Sequence, residues 1–88
     1  MKLLFTRKAW DQYRYWQDID RSVTNRINEL VEATLRDPFK GIGKPEPLKG
    51  KLSGLWSRRI TGEHRFVYRC IGVGEEQRVE VLQCRYHY

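Results

Sequence analysis

Three short stretches of this sequence carry side chains able to do chemistry: a carboxylate between two prolines, an arginine-bearing strand pair, and an imidazole among phenols at residues 85–88. In Lys44-Pro45-Glu46-Pro47-Leu48-Lys49 the prolines fix the backbone on either side of Glu46, and a lysine flanks the group at each end. Such a carboxylate can act as a general base, although the lysines favour its charged form and so weaken its basicity. It can equally be an ordinary solvated loop glutamate.

Ser57-Arg58-Arg59-Ile60-Thr61 and His64-Arg65-Phe66-Val67-Tyr68 bring several guanidinium groups together across a hairpin. The planar donors of arginine match phosphate oxygens in pairs, which makes the hairpin a phosphate-binding candidate. Read otherwise, the same charges merely discourage edge-to-edge association of a strand. A two-residue turn sets Arg65 opposite Ile60, and a three-residue turn sets it opposite Arg59. The sequence leaves both registers open. Arg85-Tyr86-His87-Tyr88 supplies a proton donor or acceptor that works near neutral pH, together with faces for stacking. His64 rivals His87 for that role, and spacing alone does not separate them.

These groups need elements to hold them. Lys2 to Thr6 reads as a short strand, with the Thr6 hydroxyl placed to cap a helix. Ala9, Trp10, Tyr13 and Trp16 then recur at helical spacing from Arg7 to Asp18, and that side is expected to face the core. Asp20 or Ser22 caps a second helix, in which Val23, Ile27, Leu30, Val31 and Leu35 keep the same period until Asp37-Pro38 ends it. Residues 38–54 hold all three prolines and read as an ordered loop without regular structure. Strands are expected at Leu55 to Thr61, His64 to Ile71 and Arg78 to Arg85, joined at Gly62-Glu63 and through GVGEEQ as an antiparallel meander.

The result is an α+β domain, residues 1–88, of order βααβββ, with a twisted, mostly antiparallel sheet and both helices on one face. The uncovered face is expected to carry Arg58, Arg59, Arg65, Arg69 and Arg85 as a surface for RNA.

Charge points the same way. Seventeen Lys and Arg against 11 Asp and Glu give a net charge of +6, and the pI of about 9.6 favours a polyanionic partner. Cys70 and Cys84 lack the spacing of a zinc site and are read as reduced and structural, so neither metal nor cofactor is expected. No apolar run is long enough for a membrane span or a signal peptide, and the expected location is cytoplasmic.

Residues Glu29 to Leu35, the block GKPEPLKGKLSGLWSRRITGEHRFVYR at Gly43 to Arg69, and CRYHY at Cys84 to Tyr88 resemble the YoeB-like toxins of the RelE group. The MKLL start, WDQYRYWQ and the DPF after the second helix extend the likeness over nearly the whole chain. The resemblance implies a compact RelE-type fold and metal-independent cleavage of mRNA in the A site of the 70S ribosome. It makes Glu46, Arg65, His87 and Tyr88 the catalytic set and gives Lys49 and Arg59 supporting roles, with His64 structural. Lys44 and Arg58 join Lys49 and Arg59 as expected RNA-binding residues. An acidic antitoxin of YefM-like type and a second copy of the chain are the expected protein partners. The connection Gly72 to Gln77 departs from the family pattern in being longer and more acidic than a tight hairpin.

Two rival functions share these features. A ParE-like toxin acting on gyrase would have the fold without needing Glu46, Arg65, His87 and Tyr88 together. A plain nucleic-acid-binding module would account for the charge but not for the KPEP and CRYHY blocks.

Overall fold

In the computed structural model, which describes Met1–Tyr88, the chain runs β1 (Lys2–Phe5), α1 (Arg7–Ile19), α2 (Arg21–Arg36), β2 (Glu46–Pro47), β3 (Trp56–Arg59), β4 (Arg65–Ile71) and β5 (Arg78–Gln83). Short 3-10 turns occupy Gly50–Leu52 and Gly74–Glu76. The helix starts follow from their caps. Thr6 Oγ1 accepts from the Ala9 amide at 3.1 Å, and Asp20 Oδ1 accepts from the amides of Ser22 and Val23, so Asp20 rather than Ser22 is the cap. Folding therefore lowers the affinity of Asp20 for protons, chiefly through the bond from the Ser22 hydroxyl.

All strands belong to one sheet of order β1-β5-β4-β3-β2. β1 runs parallel to β5, while the other pairs are antiparallel. The loop expected at residues 38–54 is more regular than its composition indicates, because Glu46 and Pro47 pair with Ser57 and Trp56. Pro47 is tolerated there because β2 is an edge strand, where a missing N–H need not break a ladder. The expected strands at Leu55 to Thr61 and Arg78 to Arg85 are shorter in the fold, and Arg85 lies outside β5.

Ala9, Trp16, Val23, Ile27 and Leu30 from the helices pack on Ile60, Phe66, Tyr68, Val79, Val81 and Cys84. This confirms both helices on one face. Trp10 departs from expectation: it is 44% exposed and lines an open groove of about 430 Å³ with Phe5, Tyr13, Val31 and Leu35 instead of entering the core. No helix is long and apolar enough to cross a membrane. Both cysteines are free, and burial pushes the Cys84 thiol up to about 12.

The face reading needs two corrections. Arg58 lies opposite Phe66 and points to the covered side, where it is fully buried. Strand alternation demands this, since Arg59 and Ser57 take the open side. Arg85 leaves the open face for a different reason. Its guanidinium lies 3.6 Å from the Tyr15 ring centroid and 4.5 Å from that of Tyr86, held by cation–π attraction.

Candidate active site on the open sheet face

Residues opposite one another in a sheet share a face. The row Glu46↔Ser57↔Val67↔Gln83 crosses four strands, and the pair Arg59↔Arg65 lies two residues further along β3 and β4. Arg65 thus sits opposite Arg59, the register that a three-residue turn demands. At about 3.4 Å of rise per residue, the arginine row stands about 7 Å from the row of Glu46. The helix-free side of the sheet therefore presents a carboxylate and two guanidinium groups within reach of one ligand.

The turn after β3 fixes the Arg65 side chain. Its Nη1 donates to the carbonyls of Thr61, Gly62 and His64, the first at 2.8 Å. Nε and Nη2 make no bond within the chain and remain available to an anion. Arg59 is exposed, and its amide donates to the Gly43 carbonyl, tying the start of the KPEP segment to β3. Lys44 and Lys49 are exposed on either side of Glu46. Lys44 has a φ of +52°, a left-handed conformation that few non-glycine residues adopt.

Arg58 does something else. Its Nη1 donates to the Ile42 carbonyl, Nη2 to those of Asp37 and Lys40, and Nε to the Tyr68 hydroxyl. Tyr68 in turn donates to the Pro38 carbonyl, and burial raises its phenol above the ordinary value of 10.0 against the opposing influence of Arg58. The guanidinium thus gathers the carbonyls of the segment leaving α2, uses four of its five N–H donors there, and is fully buried out of reach of RNA. Arg58 is removed from the RNA-binding residues on this ground.

The last residues come back over the sheet. Tyr86 adopts φ +69°, which turns the chain after Arg85, and its carbonyl accepts from the Arg65 amide. Tyr88 Oη then donates to Glu46 Oε1 at 3.3 Å. Since β5 and β2 are separated by β4 and β3 in the sheet, this bond requires the tail to pass over both strands. The His87 ring lies 4.6 Å from that of Tyr88 at 38° and is exposed. Glu46, Tyr88 and His87 are therefore neighbours, drawn from segments more than 40 residues apart.

His64 stays out of this group. Its ring meets Trp16 edge-on at 4.8 Å, and Nδ1 accepts from the Tyr86 amide at 2.7 Å. Sequence reasoning missed Gln83, whose Nε2 donates to the carbonyls of Tyr86 and His87, and Gln12, which accepts from the Cys84 amide. Neither glutamine had a local signal, because each bond depends on how the tail folds back. No group of three or more His, Cys, Asp or Glu side chains is gathered anywhere that could hold a metal ion.

Two helices on one face of a five-stranded mixed sheet make an α+β fold, and it is the fold of solved YoeB and RelE toxins. The family model for a YoeB-like toxin of bacterial type II toxin–antitoxin systems matches residues 5–88, and the chain belongs to that family. It is 51% identical to Toxin YoeB of Escherichia coli strain K12 over 88 residues, the full length of both chains. A YoeB/ParE toxin from Agrobacterium tumefaciens shares 57% of its sequence and superposes with a TM-score of 0.96, again over both whole chains. The Staphylococcus aureus YoeB, 38% identical over this whole chain and 98% of its own, is similar both as a dimer (TM-score 0.86) and in a YoeB–YefM complex (TM-score 0.84).

Proposed function

We propose that the protein is a ribosome-dependent endoribonuclease that stops translation by cutting mRNA in the A site of the 70S ribosome, without a metal. The observation that carries this reading is the Tyr88–Glu46 bond at 3.3 Å, which joins the tail to β2 on the face that also carries Arg59 and Arg65.

RNA supplies its own nucleophile. Glu46 takes the proton of the 2′-hydroxyl as that oxygen attacks the adjacent phosphorus, and His87 protonates the departing 5′-oxygen. The products are a 2′,3′-cyclic phosphate and a 5′-hydroxyl. Arg65 neutralises the charge that builds on the phosphoryl oxygens through the nitrogens left free by its turn. Tyr88 orients Glu46 and stacks against a base, while Arg59, Lys44 and Lys49 hold the backbone of the message. An alternative division of labour lets Glu46 only position its neighbours, with water or another group removing the proton.

The acidic YefM-like antitoxin and a second copy of this chain are the protein partners in this reading. Support comes from the S. aureus relative, solved as a dimer and as a YoeB–YefM complex.

The test is a programmed ribosome carrying a message with a single 2′-deoxy nucleotide immediately 5′ of the scissile phosphate. The message should bind and stay whole, whereas natural RNA should yield a cyclic phosphate by mass spectrometry. Cleavage of the deoxy message at the natural rate, or a 3′-hydroxyl as first product, would require water as nucleophile and overturn the mechanism. A chain lacking His87 and Tyr88 should keep its fold and lose cleavage, because the tail is exposed and contributes little to the core.

A further inference from the structure

His87 and Tyr88 act only if the tail that carries them is held, and every residue from Cys84 onward is held by a different contact. Trp16 Nε1 donates to the Cys84 carbonyl at 2.9 Å, and the Cys84 amide donates to Gln12. Arg85 is gripped between Tyr15 and Tyr86, and its Nε is buried with no hydrogen-bond partner. Since a buried unpaired donor is costly, the stacking must offset that loss. Tyr86 is held from both sides: its amide donates to His64 Nδ1 and its carbonyl accepts from the Arg65 amide and from Gln83 Nε2.

The Tyr86 contact is the point of control. Tyr86 takes the left-handed φ of +69°, a strained conformation that few residues with a side chain adopt. That turn sends the following residues across the sheet toward Glu46, and relaxing it would send them elsewhere. The 2.7 Å bond to His64 is the shortest contact that holds the turn, and it needs the imidazole neutral with its proton on Nε2. His64 is itself fixed by its edge-on contact with the Trp16 ring. A continuous chain therefore runs from the helix core through Trp16, His64 and Tyr86 to His87 and Tyr88.

We infer that His64 is a positioning residue for the proposed ribonuclease: through the Tyr86 amide it holds the left-handed turn that carries His87 and Tyr88 to Glu46. Gln83, donating to the carbonyls of Tyr86 and His87, secures the same turn from β5. This inference rests on the ribonuclease reading, but the order of the tail can be measured without it.

The experiment compares the whole wild-type chain with His64→Phe, His64→Asn and Gln83→Leu. Phenylalanine keeps a ring against Trp16 and removes the acceptor, whereas the Oδ1 of asparagine replaces Nδ1 as acceptor and removes the ring. Backbone 15N relaxation of residues 86–88 reads tail order, and cleavage of mRNA on programmed ribosomes gives kcat and KM. His64→Phe should keep its thermal midpoint within a few degrees, lose order at Tyr86 to Tyr88, and drop in kcat by about 100-fold with little change in KM, as a displacement near 1 Å demands. His64→Asn should recover most of both. If His64→Phe does not fold, Gln83→Leu should show the same loss of order and kcat in milder form. A tail as ordered in both His64→Phe and Gln83→Leu as in wild type overturns the inference, and so does a disordered tail with full kcat. An Asn variant as impaired as Phe overturns the acceptor role. Absence of cleavage by the wild-type chain would instead overturn the ribonuclease reading, leaving the relaxation data to judge the latch.

Discussion

Arg58 and Arg59 are consecutive on β3, and the sheet gives them opposite surroundings. Arg58 faces the covered side, fully buried, with four of its five donors taken by three carbonyls and a phenol. Arg59 faces the open side beside Arg65 and Glu46, exposed to solvent. The chemistry of the side chain is identical in the two places. What differs is whether its donors are already used, and that is set by the parity of its position in the strand. The covered region spends its polar groups on holding the chain after α2, and the open region leaves them free for a ligand.

The largest effect should come from exchanging these environments by mutation. Arg58→Met leaves the part-buried carbonyls of Asp37, Lys40 and Ile42 without their donor, and should cost about 3 kcal/mol in urea unfolding at roughly 1 kcal/mol per group, the low end for groups that water can partly reach. Arg59→Ala should change stability by no more than about 0.5 kcal/mol. Binding to programmed ribosomes should reverse the order: loss of one phosphate contact at Arg59 weakens it by about tenfold, given 1.4 kcal/mol per factor of ten. If Arg58→Met proved as stable as wild type, the burial of that arginine would have no energetic meaning and the contrast between the faces would fail.

A smaller effect sharpens the covered side. Gly43 has φ +84°, and a Cβ there would stand 2.8 Å from Leu30 Cδ2 and 3.0 Å from Arg58 Cβ. Gly43→Ala should therefore destabilise by about 1–3 kcal/mol, through overpacking as well as backbone strain. Because the Gly43 carbonyl accepts from the Arg59 amide, the substitution should also disturb the KPEP segment and lower cleavage. Gly50 has φ +64° but open space around it, so Gly50→Ala incurs strain alone and should cost less. Equal losses at the two sites would show that tight packing around Arg58 is not what confines the loop.

Local signals made much of this architecture legible. The helices announce themselves through caps and period, and Thr6 and Asp20 act as their types suggest. The strands carry enough β-branched and aromatic residues to be found, though not their ends. Period-two alternation was sufficient to separate Arg58 from Arg59, yet treating all the hairpin arginines as one surface concealed it. Other features depend on contacts far apart in sequence. The pairing of Glu46 with Ser57, the bond from Tyr88 to Glu46 and the bond from Tyr86 to His64 join residues 11, 42 and 22 apart, and periodicity cannot encode them. Trp10 was misplaced for a related reason: its helical position is apolar, but α2 and β1 leave that edge of the core open.

The smallest predicted effect lies on the open face, where Glu80 receives Arg69 Nε at 2.7 Å and Arg78 Nε at 2.8 Å. Here two arginines are held by a group that titrates, unlike Arg58, whose carbonyl partners do not. The bond from Arg78, then that from Arg69, holds the Glu80 carboxyl below its ordinary value of 4.5. Folding thus disfavours protonation, and the stabilisation is fully present above pH 4.5 and disappears as the pH falls through the lowered value. Both arginine side chains are more than a third exposed, at 43% and 35%, so solvent screens the pairs and their worth is at most about 1 kcal/mol. Glu80→Gln should accordingly lower stability slightly at pH 7 and not at all at pH 2, with the difference shrinking in high salt. Urea unfolding of wild type and variant across that pH range measures it. The penalty of Arg58→Met should stay constant over the same range wherever both proteins fold, since no titrating partner is lost. A Glu80→Gln penalty that persisted unchanged at pH 2 would mean that Glu80 stabilises by packing rather than charge, and would remove the electrostatic difference between the two faces.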